Sequence, residues 1–488
     1  MGWGCGGGLA GIVGILGRRA VLGLVAGGLA GRVVGGAASG ASGAGRARVP
    51  PPFSVPMAVP VEARPVRSTR DADHYRLVAA PAVAEILPGV RTPVLAYNGA
   101  FPGPTIRARA GRRVVVEHVN HLGEPTTVHL HGGEVSPEDD GGPMDLVEPG
   151  RGRRYHYANG QRAATLWYHD HAHHLESEHV YRGLAGAYLL HDECEVGLGL
   201  PSGRFDVPIV LRDARFGDDG SLVYIPEDFR GRNTILVNGR PQPYFRVAAR
   251  KYRFRVLNAA NMRFFKVELS TGDHFLQIAT DRGLMRAPLT TTSVPLSPGE
   301  RADIVVDFSR YAPGQRVVLR DGFSTRPSTD GILRFDVCGR VRDCSRVPER
   351  LAILPALRPA TADREFRLSM DKKTGMGFIN GRAYDSGRID FTVERGAVET
   401  WRIVNENQVI QHNFHVHLAD FRVLDRNGGP PMPTEDGLKD TVMVRPGESV
   451  GVRVAFHPAY TGDYIYHCHI VDHSAMGMMG QFRIAGRG

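Results

Sequence analysis

Asn98-Gly99, followed by the stretch Arg113-Val114-Val115-Val116-Glu117-His118-Val119-Asn120, is the combination on which the reading of the whole chain turns. An Asn-Gly pair favours a tight turn because both residues tolerate positive φ. The run after it clusters β-branched residues between polar ones, as a strand does. The combination recurs at Asn238-Gly239 with Leu257-Asn258 and at Asn380-Gly381 with Val404-Asn405. The Asn-Gly pairs stand 140 and 142 residues apart (98 to 238 and 238 to 380), and the closing Asn follows each by 22, 20 and 25 residues. One Asn-Gly is only a turn signal, whereas three in step divide the chain into three similar units.

The runs Arg113–Val119, Tyr252–Leu257 and Ser449–Phe456 read as strands bounded by Gly, Pro and Asn, and long amphipathic helical periodicity is scarce. At 488 residues the chain is too long for one core. The expected fold is therefore all-β, with three Greek-key β-sandwich domains of about 140 residues each. Their expected spans are 66–200, 201–350 and 351–488.

With 42% hydrophobic and 23% charged residues, the chain has the composition of an ordinary globular protein. The net charge of +9 is carried almost entirely by dispersed arginine, without a basic run or interleaved aromatics. It predicts a solvated surface and no nucleic-acid partner. Residues 1–60 are rich in Gly and Ala, nearly free of acids, and run into Pro50-Pro51-Pro52, so they are expected to lie outside the domains. Arg18-Arg19, the apolar run Ala20–Ala30 and small residues through Ala44 are organised as a twin-arginine export signal, preceded by an unusually long uncharged leader, Met1–Gly17. No later stretch offers the ~20 apolar residues of a membrane helix, so no stable membrane insertion is expected. Of five cysteines, Cys5 falls in the signal and Cys194 has no obvious partner, while Cys338 and Cys344 fit either a small disulfide loop or two free thiols.

Histidines carry the chemistry. His129-Leu130-His131 follows Asn120, and His415-Val416-His417 follows Asn405 at nearly the same offset, whereas the second unit offers Met262, Arg263, Phe264 and Phe265 instead. Units one and three should hold metal between them, with unit two as a spacer. On a strand the two histidines of each His-x-His share a face and can grip one cluster. Two more pairs complete the set, His169-Asp170-His171 and His467-Cys468-His469. In the second, Cys468 faces away from its neighbours and needs partners on its own side. His412, three residues before His415, falls on that side, His473 follows Cys468 by five residues and Met478 by ten. A thiolate, two imidazoles and a weak thioether describe a blue-copper electron-transfer site. A single His-x-His reads equally as satisfied or surface histidines; four pairs on two aligned units do not. Zinc would take a closed four-ligand shell and exchanges no electrons.

At these residues the chain resembles the three-domain multicopper oxidases over nearly everything after residue 70. Trp167-Tyr168-His169-Asp170-His171, Tyr181-Arg182-Gly183-Leu184-Ala185-Gly186 and Gly437-Leu438-Lys439-Asp440 are most similar to bilirubin oxidases and spore-coat laccases. The resemblance implies cupredoxin-like domains and four copper ions. The type 1 copper takes His412, Cys468 and His473 with Met478 axial, and the type 2 copper His129 and His415. The two type 3 coppers take His131, His169, His171, His417, His467 and His469. It also implies electron entry at the type 1 site, passage through Cys468 to its flanking histidines, and reduction of dioxygen to water. Asp140, in Asp140-Gly141-Gly142-Pro143, matches the family's proton-delivering acid, although a Gly-Pro turn explains an Asp there as well. Directly after the type 1 histidine, where the family carries a second acid, stands Ser474, with Asp472 or water as substitutes. Asn413 stands where relatives often have Pro, and only a local backbone effect is expected of it. His173 and His174 match no family ligand and are read as surface or supporting residues.

The expected partners are a small-molecule reductant and dioxygen. Oxidation of phenols, aromatic amines or tetrapyrrole-like molecules leads. Cuprous-ion oxidation is the alternative, disfavoured because Met370, Met376, Met432 and Met443 are scattered rather than clustered. A copper-free structural relative would not keep every ligand.

Overall fold

The structure, a computed structural model, describes residues 47–325 and 330–486. The Arg18-Arg19 segment lies outside them. The described residues form six sheets that follow one another in three pairs. In the first pair one sheet is built on Ala72–Ala84, Arg113–Asn120 and Gly152–Tyr157, the other on Gly103–Arg109, Ala185–His191, Ala164–His169 and His129–His131. Asp206–Ala214, Lys251–Asn258 and Arg301–Asp307 take the places of the first three strands in the second pair, and Ala362–Met370, Val398–Asn405 and Ser449–Ala455 in the third. Each time the first strand runs parallel to the second and the second antiparallel to the third. A parallel neighbour cannot be reached by a hairpin, so the chain visits the facing sheet in between, and a sandwich results.

The repeated asparagines explain this geometry. Asn98, Asn238 and Asn380 have φ of 53°, 50° and 52°, a left-handed conformation that Asn tolerates. Their side-chain oxygens accept from the backbone N–H of Val78, Val210 and Arg367 at 2.7–2.8 Å. Their amides donate to the carbonyls of Arg76, Pro208 and Glu365 at 2.9–3.0 Å, pinning each turn to the first strand of its unit. At the strand ends, Asn120, Asn258 and Asn405 are buried, and each amide bridges two carbonyls: Glu124 and Val147, Arg263 and Leu296, Ile410 and Val444. Each side-chain oxygen accepts from the N–H two residues on, so these buried amides are satisfied.

Each pair encloses its own apolar core drawn from both sheets: Leu77 and Val116 with Leu166 and Leu190, Ile209 and Phe254 with Val267 and Leu333, Phe366 and Ile403 with Phe414 and Tyr466. At roughly 1.5–3 kcal/mol per buried large side chain, these cores carry most of the stability.

One expectation needs correction. Residues 47–60 do not lie outside the folded part: Met57 is buried in the second core, and its N–H donates to Tyr244 carbonyl at 2.7 Å while Tyr244 N–H donates to Val55 carbonyl at 2.8 Å. Alternation of Val55 and Met57 with prolines lets an extended segment add to a sheet edge, where a missing N–H does no harm. Cys194, Cys338 and Cys344 are exposed and free, so the disulfide alternative is not realised. No helix among the described residues is long and apolar enough to cross a membrane.

Candidate metal centre

The four His-x-His pairs sit at or just beyond strand ends. His129–His131 pairs antiparallel with Ala164–His169, bringing His129 opposite His169. His415, on His412–Val416, lies opposite His467 of Gly462–His467. All eight rings are buried and converge where the first and third sheet pairs meet. His131 Nδ1 stands 3.0 Å from His469 Nε2, and His467 Nε2 stands 3.3 Å from His171 Nε2 and 3.4 Å from His417 Nε2. His129 stacks on His417, and His131 on His415, both with ring centroids 3.8 Å apart, so the first histidine of each unit lies against the second of the other.

The ring nitrogens show what this cluster suits. His129, His169, His415 and His467 each use Nδ1 to reach a backbone carbonyl, of Asp140, Asp170, Asp440 and Cys468, at 2.7–3.0 Å. An N–H donated there leaves the lone pair on Nε2. In His129, His169 and His415 that Nε2 is buried without a hydrogen-bond partner, an arrangement that is costly unless a cation accepts the lone pairs. Burial, with Arg301 behind it and against the pull of Asp440, pushes His131 down to about 3; burial first and the neighbouring rings second hold His169, His171, His415, His467 and His469 well below the ordinary histidine value. Neutral rings with inward lone pairs are metal donors. His129, His131 and His169 bring donor atoms within 4.8 Å of one another, as do His129, His415 and His417, and His171, His417 and His467.

Cys468 faces the other way. Its Sγ lies 3.8 Å from His412 Nδ1 and 3.6 Å from His473 Nδ1, while His412 Nε2 donates to Asn407 Oδ1 at 2.8 Å and so leaves Nδ1 free for a metal. Met478 is buried, and its carbonyl accepts from Cys468 N–H at 3.1 Å. Burial would depress His473, but its contacts with the Cys468 sulfur and the Glu227 carboxylate outweigh that and raise it to about 10.

Two matches decide the family: the multicopper oxidase family covers residues 79–195 and again 357–487. The chain belongs to the multicopper oxidases. It is 35% identical to a laccase of Bacillus subtilis (strain 168), over 86% of this chain and 96% of that one. It is 36% identical to a bilirubin oxidase of Albifimbria verrucaria, over 88% and 81%. Among solved structures, a laccase from Pediococcus acidilactici superposes with TM-score 0.83 at 32% identity, covering 90% of this chain and 95% of that one. The McoA multicopper oxidase from Aquifex aeolicus gives 0.78 at 30% identity, over 88% and 100%. The fold is the cupredoxin-type sandwich of these oxidases, the metal is copper, and the protein is an oxidoreductase that reduces dioxygen to water.

In this multicopper oxidase two aspartates link the donor units. Asp140 offers its carbonyl to His129 and its carboxylate to His417 Nδ1 at 2.7 Å. Asp440 mirrors it, with its carbonyl to His415 and its carboxylate 3.0 Å from His131 Nε2. Burial alone would raise Asp140, but His417 and His129 hold it well below the usual carboxylate range. Gly141 has φ +68° and leaves only 2.0 Å between an added Cβ and Val128 O, so the loop must pass this close for Asp140 to reach both histidines.

Sequence reasoning missed the part played by the second unit. It supplies no histidine, yet Arg301 donates to both Asp440 oxygens at 2.7 and 2.6 Å. Gly299, at φ +86°, lets the His469 ring approach so closely that a Cβ would stand 2.9 Å from its Cγ. Asn413 also exceeds the backbone effect expected of it: its Oδ1 lies 3.4 Å from Cys468 Sγ, and its amide donates to Pro298 carbonyl at 2.8 Å, tying the thiol to the second unit. His173 and His174 stack on each other at 3.7 Å and join neither donor set. Asp472, weighed as a substitute acid, is committed to Arg232 at 2.8 Å, to Glu227 N–H at 2.8 Å and to Asn261 at 3.1 Å.

Asp170, between two of the histidines, accepts from Thr127 N–H and Ala172 N–H at 3.2 and 3.0 Å and lies 3.3 Å from His179 Nδ1. Burial would depress His179, but Asp170 and then Glu124 raise it to about 9. A histidine raised from 6.5 adds stability that is complete below about pH 6.5 and is lost as pH rises through about 9. The thermal midpoint of wild type should exceed that of His179→Gln most at low pH, with the gap closing across that window. A gap independent of pH would refute the charged His179.

Proposed function

We propose that the chain holds four coppers and couples one-electron oxidation of small aromatic reductants to the reduction of dioxygen. His412, Cys468 and His473, with Met478 axial, hold the type 1 ion; His129 and His415 the type 2; and His131, His169, His171, His417, His467 and His469 the type 3 pair. Copper bound there would supply electron acceptance at the cysteine site and dioxygen reduction among the eight histidines. The observation that carries this reading is that Cys468 and its two neighbours serve both donor sets: the thiol faces His412 and His473, and His467 and His469 face the eight-histidine cluster. The backbone between them is a covalent bridge of a few bonds. Asp140, bonded to His417 and near His129, is placed as an ionised carboxylate to orient both rings and to pass a proton only transiently beside the cluster.

The edge above His473 favours aromatic reductants. Glu227 Oε2 lies 3.5 Å from His473 Nε2 and is partly exposed, and Ile225 and Phe229 on the same loop are exposed. A carboxylate between apolar side chains suits a phenol or aromatic amine, taking up its proton as the electron leaves. Met370 and Met443 are buried and Met376 and Met432 only partly exposed, so these four present no exposed sulfur cluster to an arriving cuprous ion. Metal analysis, visible and electron paramagnetic resonance spectra, and oxygen uptake with a phenol and with cuprous ion test the proposal together. Four coppers per chain, an intense blue band and faster uptake with the phenol are expected. Full copper loading without the band would refute the type 1 assignment, and faster uptake with cuprous ion would refute the substrate class.

A further inference from the structure

Glu176 begins the short helix Glu176–Arg182, which packs against the helix Val471–Ala475 of the third unit. It is 1% exposed, forms no ion pair among the described residues, and its Oε2 has no hydrogen-bond partner. An isolated carboxylate in such a place is costly, and the usual response is to keep its proton. Its other oxygen lies 3.3 Å from Ser474 Oγ, which is itself 3.0 Å from Val471 O. The hydroxyl has one proton to offer these two acceptors, so it satisfies the carboxyl only in part. With its Oε2 unpartnered as well, the Glu176 carboxyl lacks the donors an ionised carboxylate needs and keeps its proton. Glu176 follows His171 by five residues, and Ser474 follows His473 by one, so the pair joins the two segments that carry these ligands.

We propose that Glu176 is a proton-donating carboxyl for dioxygen reduction, acting through the Ser474 hydroxyl and supplied by the first unit where the third unit carries no free acid. The inference rests on the oxidase reading above. Each dioxygen reduced to two waters takes up four electrons from the reductant and four protons. Glu176 passes on its proton and regains one from solvent. Burial pushes it up to about 8, with Asp170 raising it further and Ser474 and His179 opposing. Tyr384, partly buried, faces it from the loop after residue 380, and Asp472 on the opposing helix is neutralised by Arg232. The acid is therefore loaded at neutral pH and empties as pH rises through about 8.

The test follows reoxidation of the fully reduced, copper-loaded protein by dioxygen across that pH range, beside infrared spectra of the same samples. In Glu176→Gln, reoxidation should slow on the order of tenfold to a hundredfold and lose its decline at alkaline pH, while copper content and anaerobic reduction by a phenol stay at wild-type values. Wild type should show the carbonyl band of a protonated acid that fades on ionisation near pH 8 and is missing from the variant. Glu176→Asp, which keeps the acid, should keep the alkaline decline. Wild-type reoxidation rates in Glu176→Gln, or a carboxylate already ionised below neutral pH, would overturn the proposal. A wild-type protein that takes up no dioxygen would instead overturn the oxidase reading and this inference with it.

Discussion

Cys468→Ser is expected to abolish the blue band and to lower phenol-driven oxygen uptake on the order of a thousandfold or more, about 4 kcal/mol in barrier. The sulfur stands 3.6–3.8 Å from His412 and His473 nitrogens, close enough for one ion to join all three. A serine hydroxyl keeps its proton at neutral pH and lacks the soft, anionic character that suits both copper oxidation states. The eight histidines do not meet this side chain, because residues 467 and 469 face the other way. The variant should therefore keep about three of the four proposed coppers and nearly all of its thermal stability, since exchanging sulfur for oxygen leaves only a small void. A blue variant, or one with wild-type uptake, would show that Cys468 does not carry the electron.

How much of the fold and the site is legible in the sequence follows from the distance over which each signal acts. The asparagines can be read because their work is local: Asn98 bonds to Val78 and Arg76, and Asn120 to residues within its own unit. The histidine pairs are legible because strand alternation sorts side chains by face, and that alternation alone puts Cys468 opposite its two neighbours. Arg301 and Gly299 are not legible. Nothing near them in sequence distinguishes an arginine that reaches Asp440 across 139 residues from the many at the surface. Glu176 is hidden for the same reason, since its isolation depends on Ser474, 298 residues away. The edge segment at Val55 and Met57 defeats a reading by composition, because proline-rich chain suits a linker and the edge of a sheet equally well.

Arg301→Met tests whether the second unit is more than a spacer. The guanidinium is fully buried, bonded to both oxygens of Asp440 and to the carbonyls of Thr165, Asp281 and Gly299 at 2.9–3.0 Å. Arg301 is also what chiefly holds Asp440 well below the usual carboxylate range against the opposing effect of burial. Removing one partner of a buried pair typically costs about 3–5 kcal/mol, because the remaining charge is left uncompensated. Asp440 would then be left to His131, whose Nε2 lies 3.0 Å away, and to the Thr441 hydroxyl at 2.9 Å, drawing that ring and weakening the cluster it serves. The expected result is a clear fall in thermal midpoint together with loss of oxygen uptake. The blue band should persist, because His412, Cys468 and His473 make no contact with Arg301. Adding Asp440→Asn to Arg301→Met removes the stranded charge and should recover part of the stability but little of the uptake, because the carboxylate that positions His131 is then gone as well. A single variant with wild-type stability and uptake would return the second unit to the role of spacer.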